Sequence, residues 1–217
     1  MELLLWRWST AVQASSLATL ALFFFALSRS VRLDEVRIWS AAWASNLAAL
    51  VVTLAHWHFQ PGPAFFLPTS VAYALTKVAF VLLLVQGAYG LKHPGRRLWS
   101  WRTAAPALAL YAVVIGVFAP TIDHLGRIHH AVLAVLLLAG ASVIHRRPRV
   151  RGLNWLVAGL GIRAALALAE TAAFALQFGA AAGDVTVRRF LAAASSFDQG
   201  AEWLLALGCV IALSERV

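Results

Sequence analysis

Residues 71–91 read VAYALTKVAFVLLLVQGAYGL, with a single charge, Lys77, in the whole run. Wound as an α-helix at 1.5 Å per residue, this stretch is about 31 Å long. The hydrocarbon core of a bilayer is about 30 Å thick. Period-two alternation is missing, and Ala and Leu dominate, so the run reads as helix rather than barrel strand. Working outward, further apolar runs bring the set to 10–29, 37–58, 65–91, 103–120, 128–145, 152–178 and 190–213. Each is long enough for a span, the fourth and fifth being the shortest. The predicted fold is all-α: a polytopic seven-transmembrane helix bundle in one domain, residues 1–217, with short loops.

Composition agrees. Of 217 residues, 61% are hydrophobic and only 12% charged, and the mean hydropathy is +0.78. A soluble domain carries about a quarter charged residues, so the solvent for most of this surface is lipid. The net charge of +9 would suit nucleic acid, but the arginines follow membrane orientation instead. Arg29, Arg32 and Arg37 fall between the first two runs. Lys92, Arg96, Arg97 and Arg102 fall between the third and fourth, and Arg146, Arg147, Arg149 and Arg151 between the fifth and sixth. The second connection, with Pro61-Gly62-Pro63, holds no formal charge. The fourth holds Asp123 and Arg127, and the sixth Asp184, Arg188 and Arg189. Positive loops stay cytoplasmic, which predicts an outer N-terminus, an inner C-terminus and no nucleic-acid partner.

Smaller signals fit. Trp6, Trp8, Trp57, Trp99 and Trp101 sit at run ends, as interface anchors do. Pro94-Gly95, Pro120 and Pro148 punctuate loops or run ends. Pro68 and Pro106 are expected in first helical turns, where proline is tolerated. Gly159, Gly161, Ala165 and Ala169 are expected to let the sixth and seventh helices approach closely. Asn46, Gln86 and Asn154 read as interhelical hydrogen-bond donors. The single cysteine, Cys209, reads as a small core residue. The run from Leu17 to Leu27 ends in Ser-Arg-Ser-Val-Arg without a small-x-small cleavage pattern, so it reads as a span and not a signal peptide.

Ionisable groups inside spans are costly in lipid and therefore informative. Counted from the cytoplasmic end of each run, Lys77 lies about 21 Å deep, and His129 and His130 about 23 Å. Arg163 lies at about 17 Å and Glu170 at about 27 Å; Glu202 and Asp198 lie at about 18 and 24 Å. All seven share a slab in the outer half. The spacings Asp198/Glu202 and Arg163/Glu170 put each pair on one helix face, and depth pairs Arg163 with Glu202 and Glu170 with Asp198. These seven are the candidate ligand-binding residues. His56, His58 and Gln199 are secondary candidates, and Ser195 and Ser196 add hydrogen-bonding capacity.

Four readings of the layer are open. One is a structural ion-pair network. Another is a ligand pocket open to the outer face. A third is a transition-metal site from His129, His130, Glu170, Asp198 and Glu202, which Lys77 and Arg163 would crowd. The last is a bis-histidine haem on His58 and His130. No metal or cofactor is favoured. GxSxG, P-loop and HExxH signatures are missing, and the last run has no lysine for a retinal pigment. The chain reads as not an enzyme.

The last run, from Ala194-Ser195-Ser196-Phe197-Asp198-Gln199-Gly200-Ala201-Glu202-Trp203 to Ser214-Glu215-Arg216-Val217, resembles the final membrane helix of N-terminal sensor regions in bacterial GGDEF-type diguanylate cyclases. The opening Met1-Glu2-Leu3-Leu4-Leu5-Trp6-Arg7-Trp8 and the Leu27-Ser28-Arg29-Ser30-Val31-Arg32 turn are similar to them as well. The resemblance implies a multi-pass sensor of the bacterial inner membrane, working as a homodimer. It would pass a small-molecule, amphipathic or physical cue through the last helix to a cytoplasmic output domain of the same polypeptide. The sequence stopping three residues after Ser214 leads to the same expectation, and with no GGDEF motif here any cyclase activity lies outside these residues. The alternatives are a small transporter or proton-coupled carrier using the ionisable layer, and a membrane haem or metal-binding redox protein.

Overall fold

The computed structural model describes residues 2–59, 62–145, 152–177 and 184–216, and within these it leaves the side chains of residues 2–6, 63, 101 and 195 undescribed. The arginines at 146, 147, 149 and 151, with Pro148 and Pro61, lie outside the described residues. Among the described residues there are seven α-helices and no strand: α1 Glu2–Ser30, α2 Asp34–Phe59, α3 Phe66–Lys92, α4 Trp101–Phe118, α5 Ile122–His145, α6 Gly152–Gln177 and α7 Val185–Ser214. One 3₁₀ turn, Pro63–Phe65, precedes α3.

Among the described residues, six of the helices are long and apolar enough to cross a membrane. The fourth, Trp101–Phe118, is the shortest at 18 residues, about 27 Å of helix. Large apolar side chains stand exposed along α1 to α7, among them Leu22, Val51, Leu110, Val117, Val135 and Leu168. Surfaces of that kind belong against lipid tails and not water.

Local chemistry sets the ends. Asp34 and Glu35 open α2, where carboxylates complement the helix dipole. The chain turns after α3 at Gly95, whose φ of 75° suits a residue without Cβ. The carboxylate of Asp184 accepts a hydrogen bond from the Thr186 backbone N–H at 2.7 Å, capping α7. In the sequence Asp184 counted only as a charge offsetting two arginines; here it satisfies an orphan donor. Asp184→Ala should cost about 1 kcal/mol, read as a lower midpoint of thermal unfolding in detergent, while Asp184→Asn should cost little. Pro106 is not in the first turn of α4 but inside the helix. It therefore removes a backbone hydrogen bond to the Arg102 carbonyl, in the shortest of the seven helices.

The helices group into two compact units, Leu20–Leu125 and Met1–Thr19 with Gly126–Val217. In the Leu20–Leu125 unit, α2 and α3 form an antiparallel hairpin around buried aromatic rings. Phe24 stacks on Trp43 at 5.6 Å, and Trp43 meets Phe80 at 5.1 Å. The Trp39 indole N–H donates to the Leu84 carbonyl at 3.1 Å, and Gly87 leaves room for that ring, since a Cβ there would lie 2.5 Å from Nε1. These two tryptophans are core residues, unlike the partly exposed Trp8 and Trp57. Gln86 Oε1 accepts from the Leu98 backbone N–H at 3.0 Å. It thus ties α3 to the following loop as an acceptor, not to another helix as a donor. Asn154 is exposed.

In the other unit, α6 and α7 pack closely through glycines. A Cβ on Gly208 would lie 2.6 Å from the Leu156 backbone nitrogen, and one on Gly159 would lie 2.8 Å from Leu205 Cδ2. A Cβ on Gly152 would run into the backbone of Ala212. These contacts fix an antiparallel register in which 152 faces 212, 156 faces 208 and 159 faces 205. The close approach uses Gly152, Gly159 and Gly208. Gly161 has nothing near its Cβ position, and Ala165 and Ala169 are exposed. Of the four expected small residues only Gly159 serves. Two residues further along, a helix has turned some 200° away from its contact face.

Candidate functional site

The register places Arg163 level with Ala201, between Asp198 and Glu202 one turn apart on α7. Its guanidinium is long enough to choose, and it reaches toward the earlier residue. Arg163 NH2 donates to Asp198 Oδ2 at 2.7 Å, and NH1 donates to Glu170 Oε2 at 3.2 Å. Glu170 stands seven residues on along α6, and its side chain leans back toward the helix N-terminus, as helical side chains do. The same Oε2 lies 2.8 Å from His130 Nδ1 on α5. His130 is held from its other side by Phe174, which stacks on it at 5.7 Å. Gly126 admits that ring, since a Cβ there would lie 2.5 Å from it. The result is a chain of four groups, His130, Glu170, Arg163 and Asp198, across three helices.

Arg163 thus pairs with Asp198, where depth alone paired it with Glu202. The guanidinium extends toward the C-terminal end of α6, where Glu170 leans back to meet it and Asp198 stands opposite. Glu202 is buried at 1% exposure, a third carboxylate within electrostatic reach of Arg163. His129 is fully buried and its ring lies 5.6 Å from that of His130. On a different side of α7, the Ser196 and Ser9 hydroxyls meet at 2.9 Å, joining α7 to α1.

Lys77 belongs to the Leu20–Leu125 unit, where it is buried and donates to Asn46 Oδ1 at 2.7 Å. The other six primary candidates, also buried, lie in the second unit. Of the secondary candidates, His58 is exposed and His56 is half-buried with its ring against Phe66. Gln199 is 3% exposed. The Ser195 side chain lies outside the described residues.

Chemically, the cluster is a low-dielectric ion network in which one guanidinium serves two carboxylates. Such a group is costly to bury and costlier to break. Among the described residues no three His, Cys, Asp or Glu side chains come together as a metal-holding group. The space between Glu170 and Asp198 that a cation would need is taken by Arg163. Asn46, expected as an interhelical donor, joins α2 to α3 with its Oδ1 accepting from Lys77; its position three residues after Trp43 puts it on the inner face of α2. No family model matches this chain, nor does any curated protein or solved structure.

Proposed function

We propose that this chain is a seven-span receptor of a bacterial cytoplasmic membrane, N-terminus outside and C-terminus inside, that passes a cue to a cytoplasmic output domain through α7. The observation that carries the reading is the Arg163–Asp198 bond. It fastens α7 to a network whose other members sit on α5 and α6. Any occupant or cue that rearranges this network shifts the packing of α7 as well. The alternating arginine-rich connections support the orientation, and a helix as short as α4 can cross where the bilayer thins locally. The similarity of α7 to the last helix of diguanylate cyclase sensor regions supports the kind of output, with a homodimer as the working form.

Two experiments test this. Alkaline phosphatase fused at Gly62 should be active and fused at Gly95 inactive; the reverse pattern would overturn the orientation. For the signal, the chain joined through Ser214 to a diguanylate cyclase domain should make cyclic dinucleotide in cells. Asp198→Asn with Glu202→Gln should change that output by about fivefold or more. An unchanged output from a well-expressed variant would sink the receptor reading.

A further inference from the structure

Gln199 stands out from every charged neighbour described above. It is 3% exposed, and among the described residues neither its amide nitrogen nor its amide oxygen has a hydrogen-bond partner. The side chain brings two donors and an acceptor. It sits on α7 about 22 Å from Ser214 along the axis, at a depth that bulk water does not reach. An open amide at such a depth is a standing cost unless a polar group from outside the fold meets it.

The next residue supplies a way in. Gly200 is exposed, and a Cβ there would meet nothing within 4 Å. Phe197 and Trp203, one turn to either side, are 52% and 46% exposed. The side of α7 beside Gln199 therefore carries a notch between two aromatic rings, on a surface that faces lipid. The charges nearest to it are already engaged, Asp198 with Arg163 and Arg163 with Glu170. What the site lacks is a neutral group that both gives and takes a hydrogen bond.

We infer that Gln199 anchors the head group of an uncharged amphiphile, a hydroxyl or carboxamide on an apolar tail, that enters from the lipid beside Gly200. This names the ligand class for the receptor reading and rests on it. The amide holds the head, and the notch between Phe197 and Trp203 takes the first methylenes of the tail.

The test is thermal unfolding of the full chain in lipid nanodiscs with decanamide, 1-decanol or decane. Decanamide and decanol should raise the midpoint of the wild type by about 4 °C at saturation, and decane should not. Gln199→Leu should unfold no earlier than wild type without additive, because it replaces an open amide by an apolar group of similar size, and it should lose the response. Gly200→Leu keeps the amide, fills the notch and should lose the response too. Equal shifts in wild type and Gln199→Leu would mean partition into lipid only and would overturn the site. So would a lowered midpoint for Gln199→Leu without additive, which would mark the amide as a structural group satisfied by water. A response retained in Gly200→Leu would overturn the route. Because binding is read here and signalling in the cyclase fusion, failure of this site leaves the receptor reading to its own test.

Discussion

Arg163→Met is expected to be the most damaging single substitution in the chain, costing about 3–5 kcal/mol. The side chain nearly conserves the volume of the stem and removes only the charge and its donors. Two buried carboxylates, on Glu170 and Asp198, then face each other's helices with no guanidinium between them. The loss should show as a collapse of the folded fraction in detergent, followed by tryptophan fluorescence against temperature. The diagnostic partner is the triple variant Arg163→Met, Glu170→Gln, Asp198→Asn. If the damage comes from uncompensated charge, neutralising both acids should recover a large part of it, a coupling well outside additivity for groups in one network. A triple variant as unstable as the sum of its parts would show that shape and not charge holds the three helices here.

The positions of the seven helices were legible because their cause is local. Apolar runs of span length leave a helix no alternative in lipid, and each run falls inside or close to an observed helix. What the sequence did not carry was rotation and reach. Asp198 takes Arg163 because the guanidinium turns toward Glu170, further along α6, and so away from Glu202. Gly161, Ala165 and Ala169 looked like a packing stripe by composition, but the face that meets α7 runs through Gly152, Leu156 and Gly159. Trp39 and Trp43 broke the rule that places tryptophan at span ends. Their spacing with Val36, Asn46 and Leu50, all buried, is a helical stripe that marks an inner face, and that signal was available. That the Gln199 amide has no partner among the described residues was not legible, since partners are visible only once the helices are placed.

Gly208→Leu is expected to be the second large effect, and it bears on α7 from the opposite end to Arg163. A Cβ at this position would lie 2.6 Å from the backbone nitrogen of Leu156 and 2.8 Å from its Cα. Backbone cannot rotate out of the way as a side chain can, so the two helices must separate. Overpacking of this kind costs about 1–3 kcal/mol where side chains can yield, and this site should fall at or above the top of that range. Gly161→Leu is the control, with the same change of residue on the same pair of helices at a position where nothing stands within 4 Å; it should leave the unfolding midpoint close to wild type. The same separation should also be felt outward along α7. Arg163 lies one turn beyond Gly159 on the α6 side of this contact, so helices pushed apart at 156 and 208 stretch the 2.7 Å bond to Asp198. In the cyclase fusion, Gly208→Leu should therefore move the output in the same direction as Asp198→Asn. Opposite directions, with both proteins folded, would mean that the glycine contact and the ion network do not act on one movement of α7.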